Sequence, residues 1–264
     1  SQQKAFMLVG PKRSGKGTIA RILEAVIGPQ NAVSPTLASL GTQFGTAPLI
    51  GKRLAIISDA RISAKTDTAV VAERLLGITG EDSVSADRKF IDAWHGKLDV
   101  RFLLISNELP RIADASGALP SRFIVLILTN SFFGKEDRGL TMRLMIERPH
   151  ILNWAITGYR RLVERGYFLQ PASANDAIRD LEDLGSPISA FIRDVCVVAP
   201  GRNVQCSQLF REWGIWCDAQ GRSGKGTLQS FGRDLRAVIP ALKVTQPRDF
   251  AGTQIRHYDG VGLV

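Results

Sequence analysis

The segment Gly10-Pro11-Lys12-Arg13-Ser14-Gly15-Lys16-Gly17-Thr18 narrows the possible folds more than any other stretch of the chain. It follows a strand-length apolar run, Ala5–Val9. It precedes a helical pattern in which Ile19, Ile22, Leu23, Val26 and Ile27 share one face, stopped by Gly28-Pro29. Glycines at this spacing let backbone N–H groups turn toward phosphate oxygens. The helix start adds partial positive charge, and Lys16 reaches the β- and γ-phosphates. Gly10 to Thr18 are thus a candidate nucleotide-binding loop on a strand–loop–helix unit. The common form has Ser or Thr after the lysine to hold Mg²⁺; here Gly17 stands there and Thr18 follows. Nucleoside monophosphate kinases also carry G-K-G-T, so the loop by itself leaves a small-molecule kinase open.

Three further short apolar runs, Leu54–Ile57, Phe102–Ile105 and Phe123–Leu128, are apolar at successive positions. That is the pattern of strands covered on both faces, so an α/β core with a parallel sheet and helices on both sides is expected. From about Leu140 to Leu184 the chain reads as mostly helical, and Gly185-Ser186-Pro187 marks a boundary. Beyond it, helices are expected over Ile188–Val197, Ser207–Cys217 and Thr227–Val238. Extended pieces at Leu242–Thr245 and Gln254–Tyr258 follow, a winged-helix pattern carrying ten Lys/Arg against six Asp/Glu. The expected domains are therefore 1–139, a P-loop core; 140–185, a helical linker; and 186–264, a winged-helix-like nucleic-acid-binding domain. The phrase R-S-G-K-G-T recurs at Arg222–Thr227, but Ala219 replaces the first glycine and a helix precedes it, so it reads as a loop.

Two of the buried runs end in polar groups. Leu54–Ile57 leads to Ser58-Asp59, where a carboxylate beside a phosphate loop binds Mg²⁺ directly or through water. Phe102–Ile105 leads to Ser106-Asn107-Glu108-Leu109-Pro110, where Asn107 can orient water or contact a γ-phosphate without adding charge. Ser121-Arg122-Phe123 then opens the next strand with an arginine.

The net charge is +9, which favours polyanion partners. No apolar run approaches the ~20 residues of a membrane span. Cys196, Cys206 and Cys217 are too few and too dispersed for a disulfide framework or a four-ligand zinc site, which points to a reduced, cytoplasmic protein.

In this order, the phosphate loop, strand-end acid, S-N-E-L-P and S-R-F resemble the superfamily 3 helicases. The nearest likeness is to the C-terminal helicase part of phage and plasmid primase-helicases. Glu73–Asp82 with Asp87-Arg88-Lys89-Phe90 is similar to that family's extra motif between acid and sensor. The resemblance implies an AAA+ ATPase (a DNA helicase or translocase) forming a homo-oligomeric ring, usually a hexamer, around single-stranded or forked DNA, with a primase domain or partner. It also implies ATP and Mg²⁺ as cofactors. Lys16 and Thr18 would bind ATP, Thr18 and Asp59 the metal, Asn107 would be the sensor, and Arg122 a finger reaching the neighbouring subunit's nucleotide. Residues 88–97 would form a pore hairpin, with Arg88, Lys89, Trp94, His95 and Lys97 on DNA. Two other readings stand beside this one: a P-loop kinase, and a DNA-binding module whose ATP site does not hydrolyse.

Overall fold

The computed structural model describes residues 2–60, 66–114, 117–222, 225–248 and 254–264. It divides into two compact units, residues 1–114 with 118–181, and residues 115–117 with 182–264. The expected strands form. In chain order the first unit contains β1 (Ala5–Val9), α1 (Lys16–Ile27), β2 (Ala32–Val33), α2 (Leu37–Leu40), β3 (Leu54–Ile57) and α3 (Thr68–Gly80). Then come β4 (Ser83–Arg88), β5 (Ile91–Lys97), β6 (Arg101–Ser106), β7 (Phe123–Ile127), α4 (Leu140–Ile146) and α5 (Arg148–Arg165). The division between the units falls inside α6 (Asn175–Gly185), a few residues before the expected boundary at 186.

Five strands make one parallel sheet in the order β2-β3-β6-β1-β7. Alternation explains why each run is apolar throughout. Met7, Ile57, Phe102, Leu104 and Val125 face one side, with Val71, Leu75 and Ile78 of α3. Leu8, Ile56, Leu103 and Ile105 face the other, with Ala20 of α1. Each face is removed from water by a helix, so neither alternate position tolerates a polar residue. α3 starts at Asp67, whose carboxylate accepts from the backbone N–H of Ala69 (3.0 Å) and Val70 (3.3 Å).

The second unit is α7 (Pro187–Val195), β8 (Cys196–Gln205), α8 (Cys206–Ala219), α9 (Leu228–Val238), β9 (Lys243–Thr245) and β10 (His257–Leu263). Its three strands form an antiparallel sheet in the order β8-β10-β9. Residues 196–205 form a ten-residue strand where the sequence reading extended a helix to Val197 and gave no strand. Pro200-Gly201 hides it, because proline interrupts the pattern of a ladder strand. The structure accommodates Pro200 by placing β8 at the sheet edge. The core is aromatic: Phe191 lies edge-on to Trp213 at 5.4 Å, and Trp213 stacks on Trp216 at 5.5 Å. Of the recurring R-S-G-K-G-T phrase, Ser223 and Gly224 lie outside the described residues.

Candidate functional site

The parallel sheet decides where chemistry can gather. The loops after β1, β3 and β6 all leave from the strands' C-terminal ends, and β6 lies between the other two. Gly10 N–H donates to Ser106 O (3.3 Å) and Ala60 N–H to Ile105 O (3.2 Å), so the three strand ends are laced together. Open α/β sheets place ligands at this edge.

The candidate phosphate loop, Gly10 to Gly15, joins β1 to α1. Gly10 passes so close to β7 that a Cβ there would sit 2.3 Å from Leu128 O. Gly15 precedes α1 at φ 91°, and Thr18 and Ile19 N–H both donate to its carbonyl at 3.0 Å. Lys16 is buried at 7% exposure. Its ammonium donates to Gly10 O and Pro11 O at 2.7 Å each and to Ser14 Oγ at 3.1 Å. Burial pushes its pKa below the usual lysine value.

A cleft of about 990 Å³ opens over this loop. It takes in Lys12 to Thr18 and also Ser58 and Asn107, so the sensor candidate shares a wall with the phosphate loop. Asp59 is exposed at the end of β3, one residue past Ser58, which lines the cleft in its place. Arg122 is elsewhere. It is half-buried before β7, and its guanidinium donates to Gln3 Oε1. The register pairs Phe123 with Ala5 and Ile127 with Val9. Arg122 therefore lies at the N-terminal end of the sheet, about 17 Å (five residues at 3.3 Å each) from the loop's edge.

Several residues that sequence reasoning did not single out line the same cleft. Arg21, one turn after Gly17, donates to Thr18 Oγ1 at 3.1 Å and Thr141 Oγ1 at 3.5 Å. A Cβ on Gly17 would come within 3.5 Å of its guanidinium. Phe132, Lys135 and Arg138 enter from the segment after β7. That segment is tied to the phosphate loop by Phe132 N–H to Arg13 O (3.0 Å), Ser131 Oγ to Lys12 O (2.8 Å) and an Arg13–Glu136 ion pair at 3.4 Å. The i, i+3 relation of Arg21 to Thr18 was a readable signal; the approach of 131–141 was not, since it depends on tertiary folding.

β4 and β5 form a separate antiparallel hairpin. His95 and Lys97 point to solvent, but Trp94 does not: it is half-buried and packs against the main core. The alternation of β5 dictates this, since Trp94 opposes fully buried Ala86. The exposed aromatic is Phe90, at the tip. Arg88 is held by Asp92 O, from Nε at 2.9 Å and Nη2 at 2.7 Å, and Lys89 Nζ lies 5.9 Å from the Phe44 ring centre.

The donor set fits a nucleoside triphosphate: a cleft of the right size, a glycine-framed loop and a buried lysine. It fits Mg²⁺ less fully. Among the described residues no group of three or more His, Cys, Asp or Glu side chains converges on a metal position. Mg²⁺ characteristically keeps several waters and one or two protein oxygens, and Thr18 and Asp59 are the candidates for those. Also among the described residues, no helix is long and apolar enough to cross a membrane.

A model of a family of unknown function, DUF5906, matches residues 8–122. The structure is similar to two apo structures of the NrS-1 C-terminal region. The first, an A form, is 16% identical with TM-score 0.53, over 98% of this chain and 67% of that one. The second is 17% identical with TM-score 0.50, over the same shares. A JCV helicase bound to a small molecule is 15% identical over 69% of this chain and 51% of that one, with TM-score 0.42. The NrS-1 likenesses are likenesses of fold: a parallel α/β core followed by a small α/β unit.

Proposed function

We propose that the chain is an ATP-dependent DNA translocase of the helicase type, acting as a ring in which each nucleotide cleft is completed by a neighbour's Arg122. One observation carries the reading. Lys16 and Asn107 share one cleft, while Arg122 stands a strand's length away and cannot serve that cleft within its own chain. An arginine so placed suits a finger acting in trans, where its fixed charge would stabilise the transferring phosphoryl group. The +9 charge and the cation-bearing hairpin favour a nucleic-acid track. The motif resemblance to superfamily 3 helicases agrees with both.

In this reading the phosphate-loop N–H groups and Lys16 hold the β- and γ-phosphates, and Asn107 orients the attacking water. Thr18 and Asp59 would hold Mg²⁺, which supplies charge neutralisation at the phosphates when bound. A primase, in the same chain or as a partner, belongs to the same proposal.

The test is ATP turnover with and without single-stranded DNA, together with particle mass with and without ATP. DNA-stimulated turnover by an ATP-dependent oligomer is expected. Turnover by a monomer, unaffected by DNA, would refute the reading. Gly17-Thr18 favours the kinase alternative in that it is shared with nucleoside monophosphate kinases, and phosphate transfer to a nucleoside monophosphate would identify that case.

A further inference from the structure

The tip of the β4–β5 hairpin departs from what its turn requires. Arg88 pairs with Ile91, so Lys89 and Phe90 form a two-residue connection. Phe90, the second of them, has φ 63°. That left-handed position normally takes Gly or Asn, because a larger side chain crowds the following carbonyl. The ring also receives no shelter: Phe90 is fully exposed and Ile91 beside it is 60% exposed. Two penalties, backbone strain and a hydrated phenyl ring, thus fall on one residue that belongs to none of the apolar cores. Strain kept at an exposed position points to a ligand rather than to folding.

The surroundings indicate which ligand. Lys89 precedes Phe90 in the turn and is exposed, its ammonium 5.9 Å from the Phe44 ring centre, and His95 and Lys97 line the exposed face of β5 behind the turn. Of the tip's two carboxylates, Asp87 is half-buried and accepts from Gln43 Nε2 at 3.1 Å, while Asp92 is exposed. A flat apolar ring at the end of a basic ribbon matches a strand with phosphates on one side and unstacked bases on the other. We propose that Phe90 stacks on a base of single-stranded DNA while Lys89 and Lys97 contact its phosphates. The assignment rests on the translocase reading and gives to Phe90 the stacking role that the sequence suggested for Trp94.

Binding of the full chain to a labelled oligo(dT) and to an abasic strand of equal length separates base from phosphate contacts. Wild type is expected to prefer oligo(dT) about tenfold. Phe90→Asn tolerates the left-handed turn, so its thermal midpoint should equal or exceed that of wild type. It should lose the preference for bases while keeping the salt dependence of binding, which counts phosphates. Phe90→Trp should keep the preference. The proposal is overturned if Phe90→Asn binds oligo(dT) as tightly as wild type, or if wild type binds both strands equally. In either case DNA-stimulated ATP turnover would leave the translocase reading standing; a wild type that binds neither strand sinks both.

Discussion

At the scale of single residues, the site was most legible where its chemistry is local in the chain. The candidate phosphate loop stands out because nine consecutive residues carry its pattern, and the Lys16 ammonium rests on that same loop. Lys16→Ala should abolish both nucleotide binding and turnover, measured by equilibrium binding and phosphate release. Asn107→Ala should separate the two: nucleotide affinity within about twofold, turnover down about a hundredfold, the usual size of a lost polar group acting in the transition state. If Asn107→Ala turns over normally, the residue is a turn former and nothing more. The residues not legible at this scale were those whose role depends on distant chain. Phe132 reaches the cleft from a segment more than a hundred residues after the loop, and Phe90 differs from other surface phenylalanines in its backbone angle and its full exposure, which only the fold reveals.

At the scale of elements, the strands β1, β3 and β6 were legible because both faces of each are buried, and β7 because its run is apolar throughout although Leu126 is exposed. β8 was not, because Pro200-Gly201 and a run of exposed positions interrupt its apolar pattern, which an edge strand tolerates because it does not need every N–H. Two substitutions probe the joints between elements. Gly10→Ala forces a methyl group against the backbone of Leu128 at 2.3 Å, which no side-chain movement relieves. We expect a loss of about 3 kcal/mol in the first unit's stability and failure to bind nucleotide. Thr227→Ala removes the cap on α9, where Thr227 Oγ1 accepts from Ser230 N–H at 3.2 Å. About 1 kcal/mol should be lost from the second unit, with nucleotide binding untouched. That unit also responds to alkali. Burial raises the Cys196 thiol from 9.0 to about 11 and the Tyr258 phenol from 10.0 to about 12. Both groups are therefore neutral when folded and ionise more readily when unfolded. The Cys196 contribution is complete below pH 9 and declines as pH climbs to 11, and that of Tyr258 is complete below pH 10 and declines as pH climbs to 12, each by about 1.4 kcal/mol per pH unit. Near-UV dichroism of the Trp213–Trp216 stack should report this fall, and Cys196→Ala should flatten its first part.

At the scale of the whole molecule, the sheet order separates the candidate site residues into two sets. The C-terminal edge collects the phosphate loop, Ser58, Asp59 and Asn107. The opposite edge holds Arg122, tied to Gln3. Sequence order alone does not reveal this separation, because Arg122 is no farther along the chain from Asn107 than many residues that share a site. The parallel register of β7 with β1 reveals it. The central claim is that two chains share each nucleotide, and mixing two inactive variants tests it directly. Lys16→Ala lacks the cradle but keeps the finger; Arg122→Ala keeps the cradle, binds nucleotide and lacks the finger. Each alone should be inactive. Mixed, they assemble some interfaces in which an intact cradle meets an intact arginine, so ATP turnover should return to a substantial fraction of wild type. Full activity of Arg122→Ala alone, or no recovery in a mixture shown to co-assemble, would contradict the account.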